Sequence, residues 1–307
     1  MKEQMQGYLT LVNDHLSLVC DRLLPARLPG PEGGLRECQV NQAARYSLLD
    51  GGKRIRGILV LAACELLGGD CRNALDFAAG VEMLHCYSLI HDDLPCMDND
   101  DFRRGKPSCH KAFGEATALL AGDALQGAAF EAVVGAADKE GKALPAQYVV
   151  EAAKALGLAG GARGMVLGQE LDLAYEGKNI SREILESIHT HKTGALINGA
   201  VQMGAAAAGG SREDREILSR FAFTLGLVFQ IVDDVLDVTS TEQELGKPIG
   251  SDLEQGKTTY ITLLGEQGAM ELARKLTQES CQELAQVYGA KADFLIWLAQ
   301  SLLERRS

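Results

Sequence analysis

Residues 74–101 read ALDFAAGVEMLHCYSLIHDDLPCMDNDD. From Ala74 to Ile90 nearly every position is apolar. A helix over this run has no polar side, and such a helix belongs at the centre of a bundle. The composition then changes abruptly. Asp92, Asp93, Asp98, Asp100 and Asp101 crowd into the next few positions. Ionised carboxylates grouped at the end of a buried helix repel one another and lose hydration, so something cationic should offset them.

Outward from this stretch, helical spacing dominates. Tyr8, Val12, Leu16, Val19 and Leu23 recur at three- and four-residue steps, one amphipathic stripe that Pro25 stops. The run Phe221–Val238 repeats the apolar character of 74–90 and also carries acid, DDVLD at 233–237. Sustained polar–apolar alternation, the mark of a half-buried strand, is absent. Loops are expected at 25–34, 68–70, 98–109, 138–145, 176–181 and 209–211. Ser211 with Asp214 resembles a helix cap. The long polar span 239–259 is a candidate lid. No composition break or internal repeat divides the chain, which predicts one all-α domain over 1–307 with roughly ten helices.

Bulk composition narrows the function classes. The 307 residues are 46% hydrophobic, enough for a large core, and carry a formal charge of -12. An acidic chain is a poor candidate for a nucleic-acid partner. Its 8 cysteines form no C-x-x-C pair, which suggests free thiols in a reducing compartment, the cytoplasm. The N-terminus lacks the apolar core of a signal peptide. No uninterrupted apolar run is long enough to span a membrane. The nearest, Ala195–Gly210, is broken by Asn198 and Gln202 and reads as a tightly packed helix.

The two acidic clusters have a shared geometry. Gln230, Asp233, Asp234 and Asp237 fall at helical spacing on one face, as do His85, Ser88 and Asp92. Asp98 alone would point elsewhere, but Pro95 breaks the helix, so the chain can turn and bring Asp98 back beside Asp92. Oxygen ligands without histidine or cysteine suit Mg²⁺, which keeps its waters and bridges one or two carboxylates to substrate phosphates. Basic residues fit the same chemistry. GGKRIRG at 51–57 sets Lys53, Arg54 and Arg56 behind two glycines near a helix start. Arg103 and Arg104 follow the first cluster, Lys192-Thr193-Gly194 interrupts a helical stretch, and Lys247 and Lys257 follow the second cluster. Gln169 and Asp172, in GQELDL, read as polar core residues near the site. Gly250–Thr258 imitates a phosphate-binding P-loop, but its spacing is one residue too long and no strand precedes it.

In GGKRIR (51–56), EMLHCYSLIHDDLPCMDNDDFRRGKP (82–107), GQELDL (168–173), HKTGAL (191–196), FQIVDDVLD (229–237) and LGKPIGSDLEQGKTTY (245–260), the sequence resembles the trans-isoprenyl diphosphate synthases of the polyprenyl synthetase family, most of all the bacterial-type farnesyl diphosphate synthases. The resemblance runs over roughly 45–265. It implies an all-α bundle around a central cavity, a homodimer, and a prenyltransferase that condenses isopentenyl diphosphate with dimethylallyl or geranyl diphosphate to give farnesyl diphosphate. It implies three Mg²⁺ ions, with Asp92, Asp98 and Asp233 as main ligands and Asp93, Asp234 and Asp237 in support. Lys53, Arg56, His85 and Arg104 match the isopentenyl diphosphate site. Arg103, Lys192, Thr193, Gln230, Lys247 and Lys257 match the allylic site, and Asp92, Asp93, Asp98, Asp233, Lys192 and Arg103 are the expected catalytic set. Gly57 departs from a position that is commonly proline, which should loosen the local helix start.

Tyr87 and Ser88, five and four residues before Asp92, would lie where the growing tail points, and the resemblance associates a tyrosine there with a stop at fifteen carbons. Other products of the same machinery are geranyl and geranylgeranyl diphosphate. A non-catalytic regulatory subunit of the family would lack an aspartate motif or the basic ligands, and all are present. An acidic cation-binding protein would not need Lys53, Arg56, Arg103 and Arg104 beside the acids.

Overall fold

A computed structural model describes residues 1–31, 33–138, 143–239 and 257–305. The helices are α1 (Lys2–Leu23), α2 (Gln39–Leu48), α3 (Ile55–Leu66), α4 (Leu75–Asp92), α5 (Cys109–Phe113), α6 (Glu115–Gly135), α7 (Ala146–Gly160), α8 (Met165–Tyr175), α9 (Arg182–His189), α10 (Ala195–Ala207), α11 (Arg212–Thr239), α12 (Tyr260–Tyr288) and α13 (Asp293–Leu303). The all-α expectation holds. Two antiparallel hairpins are the described strands: β1 (Arg27–Pro29) with β2 (Leu35–Glu37), and β3 (Phe102–Arg103) with β4 (Lys106–Pro107). The second lies inside the expected loop 98–109, and the first begins in the expected loop 25–34 and ends beyond it, with β2. Each strand is too short to bury a face, so neither adds a layer.

Helix α4 is the centre. Phe77, Ala78, Ala79, Val81, Met83 and Leu84 are all buried, and so are the polar Asp76 and Glu82. It packs against α1, α3, α6 and α10. Outside it, α10 packs on α3, α7 and α11, and α11 packs on α12 and α13. One continuous core joins α1 through α11 and the C-terminal helices. A smaller apolar cluster around Val228, Ile231, Val232 and Tyr260 joins the end of α11 to α12. The bodies of the two helices behind the acidic ends are buried in apolar packing.

Helix α6 was not singled out in the sequence. By length and composition it alone among the described residues could cross a membrane, and 44% of its apolar window is buried in this fold. The expected cap at Ser211 is present and reciprocal: Asp214 N–H donates to Ser211 Oγ at 3.1 Å, and Ser211 N–H donates to Asp214 Oδ2 at 2.9 Å.

The start of α12 is held in the same way. Thr262 N–H donates to Thr259 Oγ1 at 3.3 Å, and Thr259 N–H donates to Thr262 Oγ1 at 2.9 Å, a capping box. The next amide, Tyr260 N–H, donates to Asp234 Oδ2 at 2.7 Å. A charged acceptor at a helix N-terminus also gains from the helix dipole. Thr259→Ala should therefore lower unfolding stability by about 1 kcal/mol, measured by urea denaturation.

Candidate active site

The end of α4 turns as Pro95 requires. Asp98 N–H donates to the Asp92 carbonyl at 2.8 Å and Asn99 N–H to the Leu94 carbonyl at 3.1 Å, so Asp98 returns beside Asp92. Asn99 sits in the left-handed region, φ 52°, where a short polar side chain is tolerated. The carboxylates suffer for this. Burial pushes Asp92 up to about 6; Asp98 and Asp93 add to the shift, while Lys192 and Arg103 oppose it. Asp98 is also raised, first by burial, with Lys192 and Lys257 pulling it down. Neither Asp92 nor Asp98 forms an ion pair among the described residues. Asp93, 2% exposed, is held by Arg103, whose Nε lies 3.0 Å away. Burial still raises Asp93 despite that partner.

The β3–β4 hairpin supplies the arginines. Its two turn residues, Arg104 and Gly105, have φ of 53° and 78°, the pattern of a tight two-residue hairpin. Arg103 is thereby turned onto Asp93, and Arg104 Nη1 donates to the Gly51 carbonyl at 2.7 Å. Gly52 has φ 112°, a backbone conformation that favours glycine, and the Arg104 guanidinium carbon lies 2.9 Å from where a Cβ would stand. Arg54, Arg56, Arg103 and Arg104 converge on His85. Burial first, then these four charges, hold its imidazole well below the usual histidine range, so it is neutral at pH 7. Arg56 Nε is buried with no hydrogen-bond acceptor among the described residues, a donor left for a ligand.

The stretch at Lys192 does not break its helix as the sequence suggested. Helix α9 runs through one π turn, Thr190–Gly194, into α10. A Cβ on Gly168 would lie 2.0 Å from Lys192 N, so α8 can press against this turn only because that position is glycine. Lys192 Nζ is 2.6 Å from Asp172 Oδ2 and also acts on Asp92 and Asp98. The neighbouring Thr193 Oγ1 donates to Gln230 Oε1 at 2.6 Å, and Gln230 Nε2 lies 3.5 Å from Asp233 Oδ2. Lys192 and Thr193, adjacent in sequence, thus link the first aspartate cluster to the second.

In the second cluster, the Asp233 side chain is 40% exposed and the Arg305 guanidinium pairs with it. Arg305 also donates to the Phe229 carbonyl at 2.9 Å and stacks over the Phe229 ring at 4.0 Å. Lys53 feels Arg305 and Asp233 electrostatically, which ties the 51–57 loop to this cluster. Asp234 and Asp237 are buried, at 8% and 2% exposure, and Asp234 serves the start of α12.

Among the expected site residues, the fold gathers Asp92, Asp98, Lys192 and Lys257 at one point, Thr193, Gln230, Asp233 and Lys53 at a second, and His85, Arg56, Arg103 and Arg104 at a third. Ser88 instead donates its hydroxyl to the His85 carbonyl at 2.8 Å, and Lys247 and most of the 239–259 span lie outside the described residues. Tyr87 is 7% exposed; its ring meets the edge of His91 at 5.5 Å, and His91 Nε2 donates to the Leu119 carbonyl of α6 at 2.9 Å. Asp172 is more than polar core, because it holds Lys192. Nothing in the sequence links positions 172 and 192, or 233 and 305, since those pairs form only when separate helices meet.

No three carboxylate, imidazole or thiol groups among the described residues stand ready as a metal cage. The donors present nonetheless fit Mg²⁺. Asp92 and Asp98 are oxygen donors brought together by the turn at Pro95; burial opposes the ionisation of both, with Asp98 adding to it at Asp92, and this ion needs few protein ligands when phosphate oxygens complete its shell.

The polyprenyl synthetase family pattern matches residues 37–292. A chloroplastic geranylgeranyl pyrophosphate synthase of Capsicum annuum is 49% identical over 267 residues, 87% of this chain and 71% of that protein. A crystal structure of an FPP/GFPP synthase from Zymomonas mobilis superposes with a TM-score of 0.83 at 34% identity, covering 99% of this chain and 100% of that one. A geranyltransferase from Helicobacter pylori, complexed with magnesium and isoprenyl diphosphate, superposes with a TM-score of 0.82 at 33% identity over 98% of each chain. The fold, the paired aspartate clusters and these matches together make the chain a member of the polyprenyl synthetase family, a prenyltransferase of the trans-isoprenyl diphosphate synthase kind.

Proposed function

We propose that the chain, as one catalytic domain, joins isopentenyl diphosphate to an allylic diphosphate head to tail, with Mg²⁺ as cofactor. The observation that carries this is the pair Asp92 and Asp98, two carboxylates whose pKa values are raised and which form no ion pair among the described residues, linked through Lys192–Thr193–Gln230 to Asp233. Asp92, Asp98 and Asp233 would hold the ions, three by analogy with the family, with Asp93, Asp234 and Asp237 orienting their surroundings. Bound there, Mg²⁺ supplies Lewis acidity that stabilises the leaving diphosphate.

The chain's own groups do the rest. Lys192, Arg103 and Lys257 place positive charge where negative charge grows on the leaving diphosphate. The oxygens of Thr193 and Gln230 face the same region and can stabilise an allylic cation by their dipoles. Arg56, Arg104, Lys53 and neutral His85 offer donors to the diphosphate of isopentenyl diphosphate, whose double bond attacks the cation; the proton lost afterwards goes to the departing diphosphate. The apolar packing around α4 and α11 keeps water from the cation. Asp92→Ala and Asp233→Ala should each lower turnover by about 10³-fold or more at saturating Mg²⁺, measured with radiolabelled isopentenyl diphosphate. Near wild-type rates in either would remove the metal assignment.

Two product lengths have support. The Capsicum annuum relative's name favours geranylgeranyl diphosphate, twenty carbons, and this reading displaces the fifteen-carbon expectation as the first. Farnesyl diphosphate is the second reading, carried by Tyr87, a buried ring below Asp92 that is braced against α6 through His91. Chromatography of the dephosphorylated product decides between C20 and C15. If the product is C15, Tyr87→Ala should lengthen it by at least one isoprene unit; unchanged C15 would show that Tyr87 is only packing.

The chain is further proposed to form a homodimer through α6. Leu119, Leu120 and Val134 on that helix are 47%, 51% and 52% exposed, a costly way to leave large apolar side chains in water. The eight free thiols fit a reducing compartment. The pepper relative is named chloroplastic, so the expected cytoplasm is one of two compartments compatible with this reading. Sedimentation should give a dimer for the wild type and a monomer for Leu120→Glu; a wild-type monomer at micromolar concentration would overturn the interface.

A further inference from the structure

Arg54 stands apart from the other basic residues of its segment. It is the N-cap of α3 and one of few non-glycine residues with positive φ, 48°. That conformation is disfavoured for a long side chain and persists only where the surroundings enforce it. The surroundings here are explicit. The Arg54 side chain is 3% exposed; Nη2 donates to the Leu48 carbonyl at 2.6 Å and Nε to Asn13 Oδ1 at 3.0 Å. Nη1 lies 3.8 Å from Oε2 of Glu82, itself 3% exposed. The other oxygen, Glu82 Oε1, accepts the Gly57 N–H at 2.8 Å. One buried carboxylate on α4 thus grips both ends of the first turn of α3.

Lys53 and Arg56 flank the residues so gripped. Glu82 is the main charge favouring the ionised form of both Arg54 and Arg56, and Arg104 opposes it on both. Without it, Arg54 and Arg56 would face Arg104 and His85 with burial against them and without their main balancing acid. Gly57 completes the device. A Cβ there would stand 3.0 Å from Val12 Cγ1 and 3.2 Å from Glu82 Cγ, and a proline would have no N–H to give. The glycine therefore does not loosen the helix start as the sequence suggested. It supplies the amide that Glu82 caps.

We propose that Glu82, through Arg54 and the Gly57 amide, is a positioning residue that orients Lys53 and Arg56 toward the diphosphate of isopentenyl diphosphate. This rests on the reading of that basic cluster given above. Glu82 touches no substrate; it holds the helix turn that does. The effect should fall on the isopentenyl diphosphate side, because Glu82 acts through Arg54 and the Gly57 amide on α3, whereas Lys192, Thr193 and Gln230 of the allylic side stand on the π turn and α11 and Arg103 is held by Asp93.

The test is steady-state kinetics of Glu82→Gln, which keeps the shape and an acceptor for Gly57 N–H but removes the charge. The Michaelis constant for isopentenyl diphosphate should rise about tenfold or more, since small displacements of a binding group cost that much or more. The turnover number and the constant for the allylic diphosphate should stay within about threefold. Arg54→Lys, which keeps the charge but loses the forked reach, should show the same split, and serves if the first variant fails to fold. An unchanged constant for isopentenyl diphosphate, or equal losses in both substrates with a lowered melting temperature, would reduce Glu82 to a packing role and overturn the proposal. Failure of the wild type itself to bind isopentenyl diphosphate in calorimetry would overturn the underlying site reading instead.

Discussion

Like charge crowded at the ends of buried helices governs this structure. Two apolar helices end in acid, and the surrounding fold is arranged so that cations arrive from elsewhere in the chain. Arg103 comes from a hairpin to Asp93, Lys192 from a π turn to Asp172, and Arg305 from beyond the last helix to Asp233. Asp92 and Asp98 are left outside this scheme among the described residues. Burial raises the pKa of both, and in the proposed reading a divalent ion with a diphosphate would complete the balance. The basic side mirrors this: Glu82 offsets part of the arginine cluster, and Arg56 keeps a buried donor without an acceptor among the described residues, which the proposed anionic substrate would supply.

Backbone strain marks the same places. Arg54, Asn99 and Arg104 are the non-glycine residues with positive φ among those described, and each lies at the site. Arg54 starts the helix that carries Arg56, Asn99 closes the turn that returns Asp98, and Arg104 makes the hairpin turn that presents Arg103. Such conformations cost about 1–3 kcal/mol each and need dense packing to persist. The large single core around α4 provides that support. The π turn at Thr190–Gly194 is a further irregularity of this kind, and it sets Lys192 and Thr193 side by side at the junction of the acidic clusters.

The sequence alone determined the all-α class, because a run such as 74–90 with no polar face leaves only a buried helix as its solution. It also exposed both aspartate clusters, the return of Asp98 enforced by Pro95, and the basic segments, since these are local patterns of charge against apolar runs. Tertiary structure decided which charges meet. Arg54 and Arg56 look alike in sequence, yet one is a buried pin and the other a donor facing the site. Asp233 and Asp234 are neighbours, yet one is half-open and the other fastens α12. Arg305 carried no sequence signal, and the roles of Asp172 and Glu82 within their motifs could not be read, because their partners lie 72, 20 and 28 residues away and are brought within reach only when the helices pack. Local periodicity reports what a segment must bury; which partner satisfies a buried charge depends on distances that exist only in the folded chain.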